Sequence, residues 1–552
     1  MAKSPNTQDI PLSIVGSTKF GRYPKISAEQ TYNMFISDDW LVPYAGHKKI
    51  INFGSLGDGR ELFYSSNLNA FILVINNFVY IATVFGGQNE LVKIGEIETT
   101  SGDVFIAENN AKQIAICDLK NIYVYNYTIG STSFVKATLD FIPLHISFQD
   151  GYFVAAAKYA DGITKPGWRL SGPNNGLSWP YLPANVGEFQ TKPNNCLACV
   201  PVPGKGGLLL LFGQTVTEAW QDIGAQLFPY QRTTGFNIDY GCLNPATIAT
   251  SDDLVVWLGI NQSSGPAILV STGGRPEQIS DDGINYKLAT LKNPSLAYGF
   301  FVKQDGHLSY HLTFPDPEDN VTYSYDFNTR KFFTLCDEYM NCHIAKRAAY
   351  ANNTYYFLGF DNGNLYEMNS KYTTYDGAEI PRIRVTNTIR LPNSSRFVGN
   401  SLSFPLEQGE AEIPSYAEPR KMKSGSIMVP ADFPDLVSVQ YGDIHYISSQ
   451  VVDDDPTRTN TGQQFGANLY IVWNGKAWDV ISAVVSRIDL SVSRDGGVVF
   501  GTSMPYILHP QAYRKNEVTF YKLGSANEMT VQLRFWGTNR FVASNGVLNI
   551  YQ

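Results

Sequence analysis

The chain has 552 residues, 43% of them hydrophobic, which is too long for one small core and greasy enough for several. Lys+Arg 42 against Asp+Glu 50 leave a formal net charge of −8, and this excludes a general electrostatic attraction to nucleic acid or to an anionic membrane. It does not exclude passive contact with DNA, because a weakly acidic wall repels phosphates and lets DNA slide.

From the N-terminus, MAKSPNTQDIPLS is polar and predicts no signal peptide, so synthesis and folding in the cytoplasm are expected. Residues 1–60 read as an N-terminal arm. Within it QTYNMFIS (30–37) or HKKIINFG (47–54) is placed to supply a ring-closing strand, because an open sheet edge invites aggregation.

From 61 to 375 a strand-turn-strand module recurs, rich in Tyr and Phe and broken by Asn, Asp and Gly turn pairs. It stands at AFILVINNFVYIAT (70–83), QIAICDLKNIYVYNY (113–127), HISFQDGYFVAAA (145–157) and CVPVPGKGGLLLLFGQTVTEAW (199–220). It continues at DLVVWLGINQSSGPAILVST (253–272), YGFFVKQDGHLSYHLTF (298–314) and AAYANNTYYFLGFDNGNLYEM (348–368). Starts on average about 46 residues apart match a four-stranded blade, so the reading is an all-β chain with a β-propeller of seven blades, or six, since the third and fourth modules are irregular. The longest apolar run, GLLLLFG at 207–213, is too short to span a bilayer.

After about 375 the period breaks. PRIRVTNTIRL (381–391) opens new strands, and a Pro-, Gly- and charge-rich insertion runs from about 404 to 468. Alternation returns in RIDLSVSRDGGVVFG (487–501), EVTFYKLG (517–524) and MTVQLRFWG (529–537), so residues 376–552 read as an antiparallel β-sandwich-like domain with that insertion.

The residues that invite chemistry also have plainer explanations. Cys196-x-x-Cys199 has half of a zinc-ligand spacing, but no second pair stands near it, and CLACV reads as small hydrophobes on a strand. His307 and His311 share one face of a strand, and Asp453–Asp455 lack the spacing of a calcium loop, so no metal is assigned. No nucleophile elbow, metalloprotease helix or phosphate-binding loop occurs, and neither catalytic nor cofactor-binding residues are assigned.

Two turns resemble the Asp-box of sialidase-type propellers: Asn174-x-Gly176-x-x-Trp179, and Ser493-x-Asp495-x-Gly497-x-x-Phe500. The expected geometry is an Asn or Asp folded onto the backbone two residues on, a glycine at positive φ and an aromatic plug at the hairpin base. A sialidase-like enzyme further needs three arginines clamping a carboxylate. Arg22, Arg60, Arg169, Arg232, Arg275, Arg330 and Arg347 show no position shared by three blades, so the turns read as shape.

TYNMFISD followed by LVPYAGHKKI resembles the opening of the packaged-DNA stabilisation proteins of short-tailed phages, which form the tail nozzle or head-to-tail plug. WRLSGPNNGLSWPYL, LLLLFGQTVTEAWQDIGAQLFPYQR, TTGFNIDYGCLNPATIATSDDLVVWLG, VTYSYDFNTRKFF and the closing LSVSRDGGVVFG to YRKNEVTFYKLGSANEMTVQLRFWG resemble that family's later segments in order. The order is the specific part, and the insertion has no counterpart in the resemblance.

The resemblance implies a structural virion protein, located in the tail, that forms a ring of six copies below the portal and adaptor. It would extend the DNA channel, help retain the genome and carry the distal needle, fibre or spike. Trp40, Tyr44, Trp168, Trp179 and Tyr181 are the candidate interface aromatics, each of them alternatively a plug inside a blade. A glycan-cleaving propeller and a non-catalytic carbohydrate- or protein-binding propeller are the alternatives.

Overall fold

The computed structural model describes residues 7–21, 28–51, 57–85, 89–159, 167–192, 194–234, 238–411, 420–421, 444–447, 451–452, 464–465, 469–473, 478–481, 486–508, 515–537 and 539–551. Asp453–Asp455 and most of the predicted insertion lie outside these residues. The chain divides into two compact units, one of residues 19–22 and 47–369, the other of 1–18, 23–46 and 370–552.

In the first unit seven sheets follow one another along the chain: 59–96, 105–136, 142–188, 198–232, 241–278, 298–335 and 345–369. The last of them takes its fourth strand from Gly46–Ile51, so the ring is closed by the segment containing HKKII. Residues 30–37 do not serve that purpose; Met34–Ser37 pairs with Trp40–Pro43 in the other unit.

Alternation of side chains explains why this pattern makes a ring. In Ala70–Ile75 every residue is buried, yet Phe71, Leu73 and Ile75 join one core with Leu358 and Leu365 of the seventh blade. Ile72 and Val74, on the opposite face, join another with Ile114 and Ile116 of the second blade. A strand sandwiched on both faces has no polar side, which is why the middle strands read as continuous apolar runs. Separate cores of this kind lie at every junction from the first blade round to the seventh and back.

The turn pairs supply the hairpins. Asp150-Gly151, Asp305-Gly306 and Asn352-Asn353 all take positive φ at both central positions, the mirror-image turn whose twist matches the strands it joins. Among the described residues one α-helix interrupts the pattern, Asp282–Thr290, capped by the Asp281 side chain on the Ile284 N–H at 2.8 Å.

The second unit is an antiparallel β-sandwich. One sheet holds Phe397–Ala411 between Lys515–Ala526 and Gly546–Tyr551, with Thr7–Leu12 on its edge. The other holds Glu528–Trp536 between Arg382–Val385 and Arg487–Ser493, with Ala28–Tyr32 beyond. Leu402, Phe404, Leu406 and Leu548 of the first sheet share a core with Ile488, Leu490, Val531 and Leu533 of the second. Residues 404–411, expected to begin the insertion, therefore belong to a 15-residue sandwich strand.

Candidate functional site on the propeller axis

Inner strands of neighbouring sheets touch: Phe105–Glu108 lies against Gly59–Ser65 and Ile142–Gln149, Ile142–Gln149 against Ala198–Pro201, Tyr298–Gln304 against Ala249–Ser251 and Ala345–Ala351, and Ala345–Ala351 against Gly59–Ser65. Residues of six blades line an open cavity of about 690 Å³ there. Its ionisable lining groups are Glu61 on the first blade, Glu108 on the second, His145 on the third and Arg347 on the seventh.

Glu61, Arg347 and Glu108 are held by hydrogen bonds. Arg347 Nε donates to Glu61 Oε2 at 3.1 Å, and its Nη1 donates to the Gly299 carbonyl. Burial pushes the Glu61 carboxyl up from its ordinary range, against the pull of Arg347 and a hydrogen bond from Leu62 N–H. Glu108 Oε1 accepts from Ser65 Oγ at 2.8 Å, Asn67 Nδ2 at 3.1 Å and the Tyr127 hydroxyl.

Beside the cavity Lys346 Nζ reaches Asp103 Oδ1 at 2.9 Å and lies 4.2 Å over the Tyr298 ring. Burial works to raise the Asp103 carboxyl, and Lys346, Arg347 and Asn244 outweigh it and hold it below the usual value. The His145 ring lies tilted against Phe105 at 4.5 Å; burial and then Arg347 lower it to about 3, so it is neutral at physiological pH. Cations and carboxylates from blades distant in sequence thus cross-link the inner strands about the axis.

Residues 63–331 match the family model for phage stabilisation proteins, described as bacteriophage P22 Gp10, beta-propeller. The propeller belongs to this family. A structural protein of the phage tail is the role this match supports, and the ring of blades is the fold that the family description gives.

No curated protein matches the chain. Among solved structures it is similar to the N-terminal domain of Nup159 (11% identity, 61% of this chain and 98% of that one, TM-score 0.37). The computationally designed Ika8 protein is similar at 12% identity, over 58% of this chain and 99% of that one, TM-score 0.37. A Saccharomyces cerevisiae complex of Dbp5 with Nup159, Gle1, IP6 and ADP follows at 10% identity, 60% and 96% coverage, TM-score 0.35. Scores this low add nothing to the description of the ring.

The residues singled out from sequence fall in several places. The first Asp-box-like turn joins the two outer strands of the third blade. Trp179 is its plug, with Nε1 donating to the Gly176 carbonyl at 2.8 Å and its ring edge-on to Phe141 at 5.6 Å. The expected backbone is corrected: Asn174, not Gly176, is left-handed (φ 49°), and Asn175 folds onto the Leu177 N–H at 3.1 Å. Gly176 is needed for space, since a Cβ there would meet Phe153 Cε2 at 3.0 Å and Val124 Cγ2 at 3.1 Å.

The second turn, in the sandwich unit, follows the expectation more closely. Asp495 Oδ1 accepts from Val498 N at 3.1 Å and Val499 N at 3.0 Å, Gly497 stands at φ 91°, and Ser493 bridges Phe500.

Of the interface candidates, Trp168 is fully buried, edge-on to Trp220 and Tyr230, so it fills the core between the third and fourth blades and presents no surface. Tyr44 is buried against Phe35, and Trp179 is buried as described. Trp40 is half-buried, and Tyr181 is 60% exposed beneath the Arg169 guanidinium. Arg60 and Arg169 are spent on loop carbonyls and, for Arg169, on Asp140; among the described residues Arg347 is the arginine that lines the cavity.

The convergence of Glu61, Glu108, His145 and Arg347 was not visible in the sequence, where these residues carry no motif. Cys196 and Cys199 bring their sulfurs to 3.8 Å inside the same core as Trp168, as free thiols. His307 pairs with Asp326 at 3.0 Å while His311 is buried on the same strand. Among the described residues no group of three or more His, Cys, Asp or Glu could hold a metal, and no helix is long and apolar enough to cross a membrane.

Proposed function

We propose that this protein is the tail nozzle, a head-to-tail connector ring that extends the DNA channel, helps retain packaged DNA and carries the distal tail parts. The observation that carries this reading is the match of residues 63–331 to the phage-stabilisation propeller. Six copies below the portal and adaptor would form the ring, with a needle, fibre or spike beyond it. Closure of a ring makes each contact support the others, so assembly becomes effectively irreversible without chemistry.

The net charge of −8 suits a wall that DNA passes without adhering. The ion pairs cross-linking the inner strands suit a blade ring used as a rigid strut, with DNA running through the assembly of copies rather than along the axis of one propeller. Tyr181 is the aromatic best exposed to anchor a neighbour.

A null mutant tests the reading. Particles should package DNA and then lose it, counted as empty heads by electron microscopy with DNA content assayed in parallel. Full, stable heads that fail only at adsorption would move the protein outward, to a receptor-binding or glycan-degrading role.

A further inference from the structure

We propose that the open cavity among the inner strands of the propeller takes an organic cation, an ammonium group carried on an apolar stem. The inference goes beyond the connector role and does not rest on it. The cavity's volume, about 690 Å³, lies within the range of sites built for small molecules.

Charge selects the sign of the ligand. Four ionisable groups line the cavity: Glu61, Glu108, His145 and Arg347. Arg347 Nε answers Glu61 Oε2 at 3.1 Å, and His145 is neutral at physiological pH, so these three cancel. Glu108 is left over. Its Oε1 accepts from Ser65 Oγ at 2.8 Å, from Asn67 Nδ2 at 3.1 Å and from the Tyr127 hydroxyl. All three donors are neutral, so they fix the carboxylate in place and leave its charge unanswered. Its Oε2 accepts no hydrogen bond among the described residues and is not buried, so it stays open to a donor.

The walls select the kind of cation. Phe63, Tyr64, Phe105, Phe148, Pro201 and Pro203 line the same cavity. An aromatic face attracts an ammonium group, and an apolar wall takes the hydrocarbon stem behind it. Calcium asks for about six to eight oxygen ligands, whereas here one carboxylate oxygen is open. No group of three or more His, Cys, Asp or Glu among the described residues could hold a metal. An anion would be repelled by Glu108, and a neutral alcohol would leave its charge unanswered.

Saturation-transfer NMR on the full-length protein tests this by comparing n-butylammonium with n-butanol and butyrate, three molecules of similar size and different charge. The ammonium should bind saturably and at least about tenfold more tightly than the other two, a comparison that needs no variant. Glu108→Gln keeps an oxygen for Ser65, Asn67 and Tyr127 and removes the charge. It should weaken the ammonium about tenfold or more, with the melting temperature unchanged. Phe148→Leu keeps an apolar wall without the ring and should weaken it about threefold. Thr132→Ala, on an outer strand, should leave it alone.

A peptide with one internal lysine and both ends blocked separates the two sources: retained affinity assigns the site to a lysine side chain of a partner, lost affinity to a free amine. Three results overturn the proposal: no saturable binding of the ammonium, binding unchanged in Glu108→Gln, or butanol or butyrate bound as tightly as the ammonium.

Discussion

Glu61 and Arg347 are 286 positions apart and about nine-tenths buried, so each depends on the other to be tolerated where it is. Arg347→Met should leave the Glu61 carboxylate stranded and cost about 3–5 kcal/mol in urea unfolding, whereas adding Glu61→Gln should restore most of the loss. A double variant as unstable as the single one would mean that the pair is not where the energy resides. At Gly176 the argument is steric. Its Cβ would press Phe153 and Val124, so Gly176→Ala should cost about 1–3 kcal/mol although the backbone there is not left-handed. A neutral outcome in the same unfolding assay would show that the Phe153 ring gives way. Neither point was legible in the sequence: a glycine in a turn suggests positive φ, and nothing near Glu61 announces a partner on another blade.

Among elements, the closing strand Gly46–Ile51 has much to lose, since it brings the segment before the first blade into the sheet of the last. His47 on that strand sits edge-on to His343 at 6.1 Å, to Phe357 at 4.9 Å and to Tyr366 at 5.0 Å. Burial holds His47 well below its ordinary value and brings His343 to about 4; burial, then His343, brings His311 to about 3. Each folded-state value lies below the unfolded 6.5, so the folded form binds fewer protons. The stability from their neutral state is complete above pH 6.5 and is lost as pH falls through that value toward the folded ones. Each contributes up to about 1.4 kcal/mol per pH unit in that window. The propeller should therefore melt at a markedly lower temperature at about pH 5 than at about pH 7, and His343→Asn should flatten the dependence. A melting temperature level across that range would mean that the histidines are solvated. At this scale the sequence was informative, because hairpin turns and alternation are local: HKKII was one of two segments placed to close the ring. The choice between them depends on pairing with a strand more than 300 residues away, which no local pattern records.

In the whole molecule the sandwich unit is built from both ends of the chain. Thr7–Leu12 lines the edge of Gly546–Tyr551 in full register, from Thr7 opposite Tyr551 to Leu12 opposite Gly546. The residues that follow are gripped by Arg384, fully buried, which donates to the carbonyls of Ile14 at 2.9 Å and of Ser13 and Ser17 at 3.1 Å, and pairs with Glu29 at 2.8 Å. In the sequence the blade period stops near residue 375. The return of the N-terminal segment to the sandwich was not legible there, since TQDIPL shows little of the alternation that marks a strand. Deleting residues 1–18 would remove an edge strand and three acceptors from a buried guanidinium, leaving Glu29 and the Thr31 hydroxyl to answer it. Unpartnered buried donors cost about 1–3 kcal/mol each, so the sandwich should lose several kcal/mol. The propeller has its own closed set of cores, none of which uses residues 1–18. Calorimetry should then resolve two transitions, the sandwich shifted down by the truncation and the propeller in place. One transition that moves as a whole would mean that the two units fold only together, and that the arm stabilises the entire chain.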